Sequence, residues 1–181
     1  MIESYFWRQE LRREVAWLRR HQRFRRWTEK QQVLFERQMI LVAFQIRVLL
    51  ERPKVGARAR RTKVSGRLYP KIGSESVNIS NAVAIEDHFD LERPQSIQLS
   101  IREVCNQLIH HYVLFAIRGA RQCFELVVVF SDYKRNACCY EFAVDDLLRA
   151  FALVASEESA ASRLAIRWDE KRQDYLWDSF D

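Results

Sequence analysis

The chain has 181 residues and a formal net charge of +6, with 48% hydrophobic and 30% charged residues. That balance excludes a disordered tail, and the length suits one domain with a sizeable core. Only 4 glycines and 3 prolines argue against a loop-rich or many-stranded sandwich. No apolar run approaches the roughly 18 residues that a membrane-spanning helix needs.

In chain order, residues 3–26 read as a first helix. Phe6, Trp7, Leu11, Val15, Leu18 and Phe24 give an apolar stripe, and Arg12, Arg13, Arg19, Arg20, Arg23, Arg25 and Arg26 crowd the remainder. Thr28 with Gln31 forms a capping box that opens a second helix, stopped near Glu51 by Pro53. Its later half, Met39 to Leu50, is apolar almost all round, so it is expected to be the buried central rod. The short joint makes the first two helices an antiparallel hairpin.

Residues 53–99 read as an irregular connection. Lys54 to Lys63 is basic and without period, and a run of Gly, Pro, Ser and Asn follows. Within it lie a short strand at Arg67–Tyr69, a short helix at Ala82–Phe89 and an extended lead at Ser96–Leu99. Ser100 with Glu103 is a second capping box. Ile101, Val104, Cys105, Leu108 and Ile109 then mark one apolar face of a helix running to about residue 111.

The period then falls to two. Tyr112–Ile117, Phe124–Phe130 and Ala137–Phe142 read as antiparallel strands, the last two joined by the polar turn Asp132–Asn136. Asp145 is placed to cap a helix over Asp146–Ala155. Residues 156–162 read as a link, and Arg163–Trp168 with Asp174–Trp177 as a small terminal hairpin. The fold class is therefore α+β: an N-terminal antiparallel helical hairpin and a central helix at about 100–111, packed with a small antiparallel sheet and a C-terminal helix and hairpin. A single domain spans 1–181, divided into the hairpin at 1–52, the connection at 53–99, a helix–strands–helix unit at 100–155 and an appendage at 156–181.

Charge is uneven. Residues 1–63 hold 17 of the 30 basic residues and 6 of the 24 acidic ones. A basic front and an acidic back suit RNA, an acidic protein or a head-to-tail homodimer as partners. Arg12, Arg19, Arg20, Arg23 and Arg26 are the candidate binding residues, since arginine grips phosphate or carboxylate bidentately. The competing reading is a solvated face paired with Glu10, Glu14 and Glu29. Trp7, Trp17 and Trp27 recur every ten residues, as core anchors or as stacking surfaces for bases.

Cys105, Cys123, Cys138 and Cys139 lack C-x-x-C spacing and read as buried, reduced thiols. The N-terminus carries no signal-peptide pattern, so a cytoplasmic location without membrane association is expected. No metal site and no cofactor is expected: P-loop, G-x-S-x-G and H-E-x-x-H patterns are absent.

One polar line deserves comparison with known chemistry. Arg102, Asn106 and His110 fall four apart along the central helix. With the N-terminal helices, this resembles HEPN domains (higher eukaryote and prokaryote nucleotide-binding), many of which are metal-independent ribonucleases. The resemblance implies Arg102 as the phosphate-binding arginine, Asn106 as the polar residue and His110 as the proton-transfer group. Seven residues separate Arg102 from His110 against four to six in that family, so a shared phosphate would require a dimer. The leading expectation is a small binding or accessory protein. A divergent ribonuclease and a purely structural subunit are the alternatives.

Overall fold

The computed structural model describes residues 2–51, 55–157 and 164–179, with side chains from residue 5 onward and, in the terminal hairpin, at 168–173. Pro53 and most of the link at 156–162 lie outside the described residues. Helix α1 (Ile2–His21) and helix α2 (Glu29–Glu51) form the hairpin. Its antiparallel sense follows from two contacts: Glu14 hydrogen-bonds Gln45, whereas Trp17 and Arg20 line a hollow with Gln38. The Thr28 capping box forms, with Gln31 N–H donating to Thr28 Oγ1 at 3.2 Å and Thr28 N–H donating to Gln31 Oε1 at 3.0 Å.

Helix α3 (Ala57–Arg61), strand β1 (Lys63–Pro70), helix α4 (Ile85–His88) and strand β2 (Gln95–Ser100) follow. The connection at 53–99 is thus not irregular; it supplies two of the five strands of the main sheet. Strand β1 has a central glycine and few β-branched residues, so its propensity is weak. It is held by pairing on both edges, to β2 over Lys63–Leu68 and to β5 (Cys138–Ala143) over Arg67–Pro70. Helix α5 (Ile101–Ile109) leads into β3 (His111–Arg118), β4 (Phe124–Ser131), β5 and helix α6 (Val144–Ser156). Strands β6 (Leu164–Asp169) and β7 (Asp174–Ser179) pair as the terminal hairpin.

The main sheet is antiparallel throughout, in the order β2-β1-β5-β4-β3. Period-two burial puts Val64, Leu114, Phe124, Val127, Val129, Tyr140 and Phe142 on one face, packed with the inner sides of α1, α2, α5 and α6. On the other face Tyr69, Val113, Phe130 and Cys139 are covered by Val77, Ala82 and Phe89. Cys138 and Cys139 therefore enter different cores. The class is α+β.

Four local expectations change. Helix α1 stops at His21, because Gln22–Phe24 leaves the helix to pair with the start of β4. Helix α6 starts at Val144 with Ala143 as an uncapped N-cap; the Asp145 carboxylate instead accepts from Gln22 Nε2 at 3.0 Å. His110 is the C-cap of α5, beyond its last helical residue. Helix α2 is not buried all round: Phe35, Met39, Val42, Ala43, Ile46, Leu49 and Leu50 are buried, but Val33, Leu34, Leu41 and Phe44 are exposed.

Candidate nucleic-acid interface

The basic residues of the first helix separate into two groups. Arg12 is a tether: its Nε donates to the Ala155 carbonyl at the end of α6, at 2.9 Å. Arg19 and Arg20 lie exposed in the last turn of α1, where positive charge suits the negative end of the helix dipole. His21 closes that turn, stacked on Trp17 at 3.8 Å between ring centroids.

Arg23 and Arg26 are not on the helix. They belong to the extended linker between α1 and α2, which docks on the β3–β4 hairpin. Phe24 N–H donates to the Gln122 carbonyl at 3.0 Å, and Phe124 N–H donates to the Gln22 carbonyl at 2.9 Å. Phe24 anchors the linker against Phe124, with centroids 5.1 Å apart. The linker arginines Arg23, Arg25 and Arg26 are left exposed.

This docking recruits two residues that the sequence did not single out. The hairpin tip runs Arg118-Gly-Ala-Arg-Gln122. The Arg118 guanidinium lies 4.2 Å from the centroid of the Trp27 ring, whose Nε1 donates to Gln32 Oε1 at 3.2 Å. Trp27 stays 36% exposed, so the opposite side of this cation–π pair is available to a base. Arg121 joins Arg23 along a cleft of about 610 Å³ that also holds Gln22, Cys123, Glu125 and Asp145. The detectable signal was a turn with two arginines between two strand-period runs.

Among the described residues, Arg19, Arg20, Arg23, Arg25, Arg26 and Arg121 make no ion pair within 4.0 Å. Arg13, by contrast, is paired with Glu10 at 3.2 Å. The result is one exposed cationic surface built from the end of α1, the linker and the hairpin tip.

The line Arg102, Asn106, His110 is not brought to one point. Arg102 turns towards the end of α2, where its Nη2 donates to the Leu50 carbonyl at 3.4 Å. Arg60 serves the same carbonyl at 3.2 Å, and Val55 O at 3.2 Å. Together the two guanidiniums satisfy a helix end that has no basic residue in its own last turn. Asn106 is half-buried, and its carbonyl accepts from His110 N–H. His110 is exposed at the far end of α5, about 12 Å along the axis from Arg102.

The thiols are poor nucleophiles. Burial pushes Cys139 up to about 12 and raises Cys105 strongly. Cys123 is raised by burial and by Glu125, with Arg23 opposing. Among the described residues no group of three or more His, Cys, Asp and Glu is placed to hold a metal ion. His88 is buried, with Nε2 at 3.1 Å from the Asn81 carbonyl. A second groove, of about 540 Å³, opens where β1 diverges from β5. Its floor carries Glu141, already bound by Tyr69 Oη at 2.9 Å and Arg67 Nη1 at 3.2 Å, and its wall carries Asp146. That acidic lining does not suit a polyanion. No helix of the described residues is long and apolar enough to cross a membrane.

No protein-family model, curated protein or solved structure matches the chain.

Proposed function

We propose that this chain is a binding module for single-stranded RNA, which it engages through the arginine surface at the junction of α1, the linker and the β3–β4 hairpin. The observation that carries the reading is convergence. Arginines from two segments about a hundred residues apart in the chain gather beside an exposed tryptophan, and most lack an acidic partner among the described residues. Arginine forks grip phosphates bidentately, and a Trp–Arg plane stacks on a base without needing a particular sequence. An acidic protein would also be attracted to the charge, but it gives no use to the outward face of Trp27.

The test is titration of a short labelled single-stranded RNA in EDTA, followed by fluorescence anisotropy and by gel analysis of the RNA. Binding of intact RNA with a dissociation constant of about 1–100 µM at physiological salt, weakened by added salt, supports the module. No binding at low salt overturns it. Cleavage that His110→Ala abolishes would instead favour a metal-independent ribonuclease, with a second copy supplying what Arg102 does not.

A further inference from the structure

Helix α2 has an outer face that the chain itself does not cover. Its inner face enters the core. One flank meets α1, through Glu14 and Gln45. The other meets α5 and β3: Arg47 lies near Cys105, and Glu36 Oε1 accepts from Ala116 N–H at 2.8 Å. What remains is the side at helical positions 30, 33, 34, 37, 41, 44 and 48. There Val33 is 54% exposed, Leu34 36%, Leu41 39% and Phe44 53%. Large apolar side chains gathered on one helix face mark an interaction site rather than the scattered exposure normal for a surface.

We infer that a second copy of this chain covers this face, with the two α2 helices antiparallel about a twofold axis. Charge selects the occupant and its direction. The strip is cationic towards its N-terminal half, at Lys30 and Arg37, and ends at the exposed acid Glu51. A parallel pairing sets Arg37 against its own mate. An antiparallel pairing centred between Arg37 and Leu41 sets Leu34 of one copy against Phe44 of the other and carries Lys30 towards Glu51. The same patch then serves both subunits, as a twofold interface requires.

The area sets the strength. Positions 30 to 48 span about 27 Å of helix, and a helix is about 10 Å wide. Burial is therefore a few hundred Å² per copy, below the roughly 800 Å² per partner of a standard stable interface. The dimer is accordingly reversible, with a dissociation constant in the micromolar range. It sets the two linkers at opposite ends of the helix pair, about 34 Å apart for a 23-residue helix. This inference does not rest on the RNA reading.

The test is sedimentation velocity of the full chain over about a hundredfold range of concentration. Wild type is expected to shift from monomer to dimer. Leu41→Glu and Phe44→Glu are expected to stay monomeric with unchanged helical circular dichroism, while Tyr133→Glu, an equally exposed change at the β4–β5 turn, dimerises like wild type. If a glutamate variant loses helical signal, Val33→Ser and Leu34→Ser weaken the dimer without adding charge. A monomer at every concentration overturns the inference and assigns the face to a different protein. A dimer that survives all four changes overturns it by placing the interface elsewhere.

Discussion

Removing the two hairpin arginines, Arg118→Ala with Arg121→Ala, separates a surface made by tertiary structure from one made by the first helix alone. The surface presents seven arginines, at 19, 20, 23, 25, 26, 118 and 121. On single strands each phosphate contact contributes about 0.7 to the slope of log K against log salt. If all seven engage, raising salt from about 50 to 200 mM weakens binding about 10³-fold; with the hairpin pair gone, five contacts leave about 10²-fold. The slope should fall by about 1.4 in magnitude, and Arg19→Ala with Arg20→Ala should lower it equally. The assay is anisotropy of one labelled single-stranded RNA at four or more salt concentrations. Because these side chains are exposed and unpaired, urea unfolding should change by no more than about 0.5 kcal/mol. The reasoning fails if the hairpin double variant keeps the full slope while the helix pair loses it, since the hairpin then lies outside the RNA path.

Other consequences can be checked independently. Trp27→Ala should cost about 1–3 kcal/mol of RNA binding through lost stacking, and Trp27→Phe clearly less, with the salt slope nearly unchanged in both. Arg60→Ala should destabilise the fold by about 2 kcal/mol, since it orphans Val55 O and weakens the cap at Leu50 O, whereas Arg102→Ala alone should cost under about 1 kcal/mol because Arg60 still serves Leu50 O and loses a like-charged neighbour; urea denaturation of both singles and the double gives the coupling. Gly66→Ala should destabilise by about 1–3 kcal/mol, because a Cβ there would sit 2.6 Å from the Phe142 ring and 2.7 Å from the Glu141 carbonyl, and thermal unfolding reads the loss. Glu103→Ala should cost about 1 kcal/mol near neutral pH. Hydrogen bonds from Ser100 hold the Glu103 carboxyl below its ordinary 4.5. Its contribution is therefore complete above that pH and is lost as pH falls through the depressed value, so the gap to wild type should close in strongly acidic buffer.

What was legible in the sequence was what short-range physics controls. Both capping boxes, at Thr28 and Ser100, lie where the serine or threonine and the residue three further on place them, because the partners are one helical turn apart. The strands β3, β4 and β5 and their turns show because alternation and polar turn residues are local signals. Only the tertiary structure decided the rest. Strand β1 exists by pairing with β2 and β5, about thirty and seventy residues away, which no window of its own sequence contains. Arg102 became a cap for α2 because the Leu50 carbonyl, 52 positions earlier, needed a donor. Arg23 and Arg121 share a cleft only because the linker adds itself to the start of β4. The all-round apolarity of α2 was plain in the sequence, but which side the chain would leave bare depended on where α1, α5 and β3 docked. Residue type and local period set what each segment can be, and long-range packing sets which of its groups are used up and which remain for a partner.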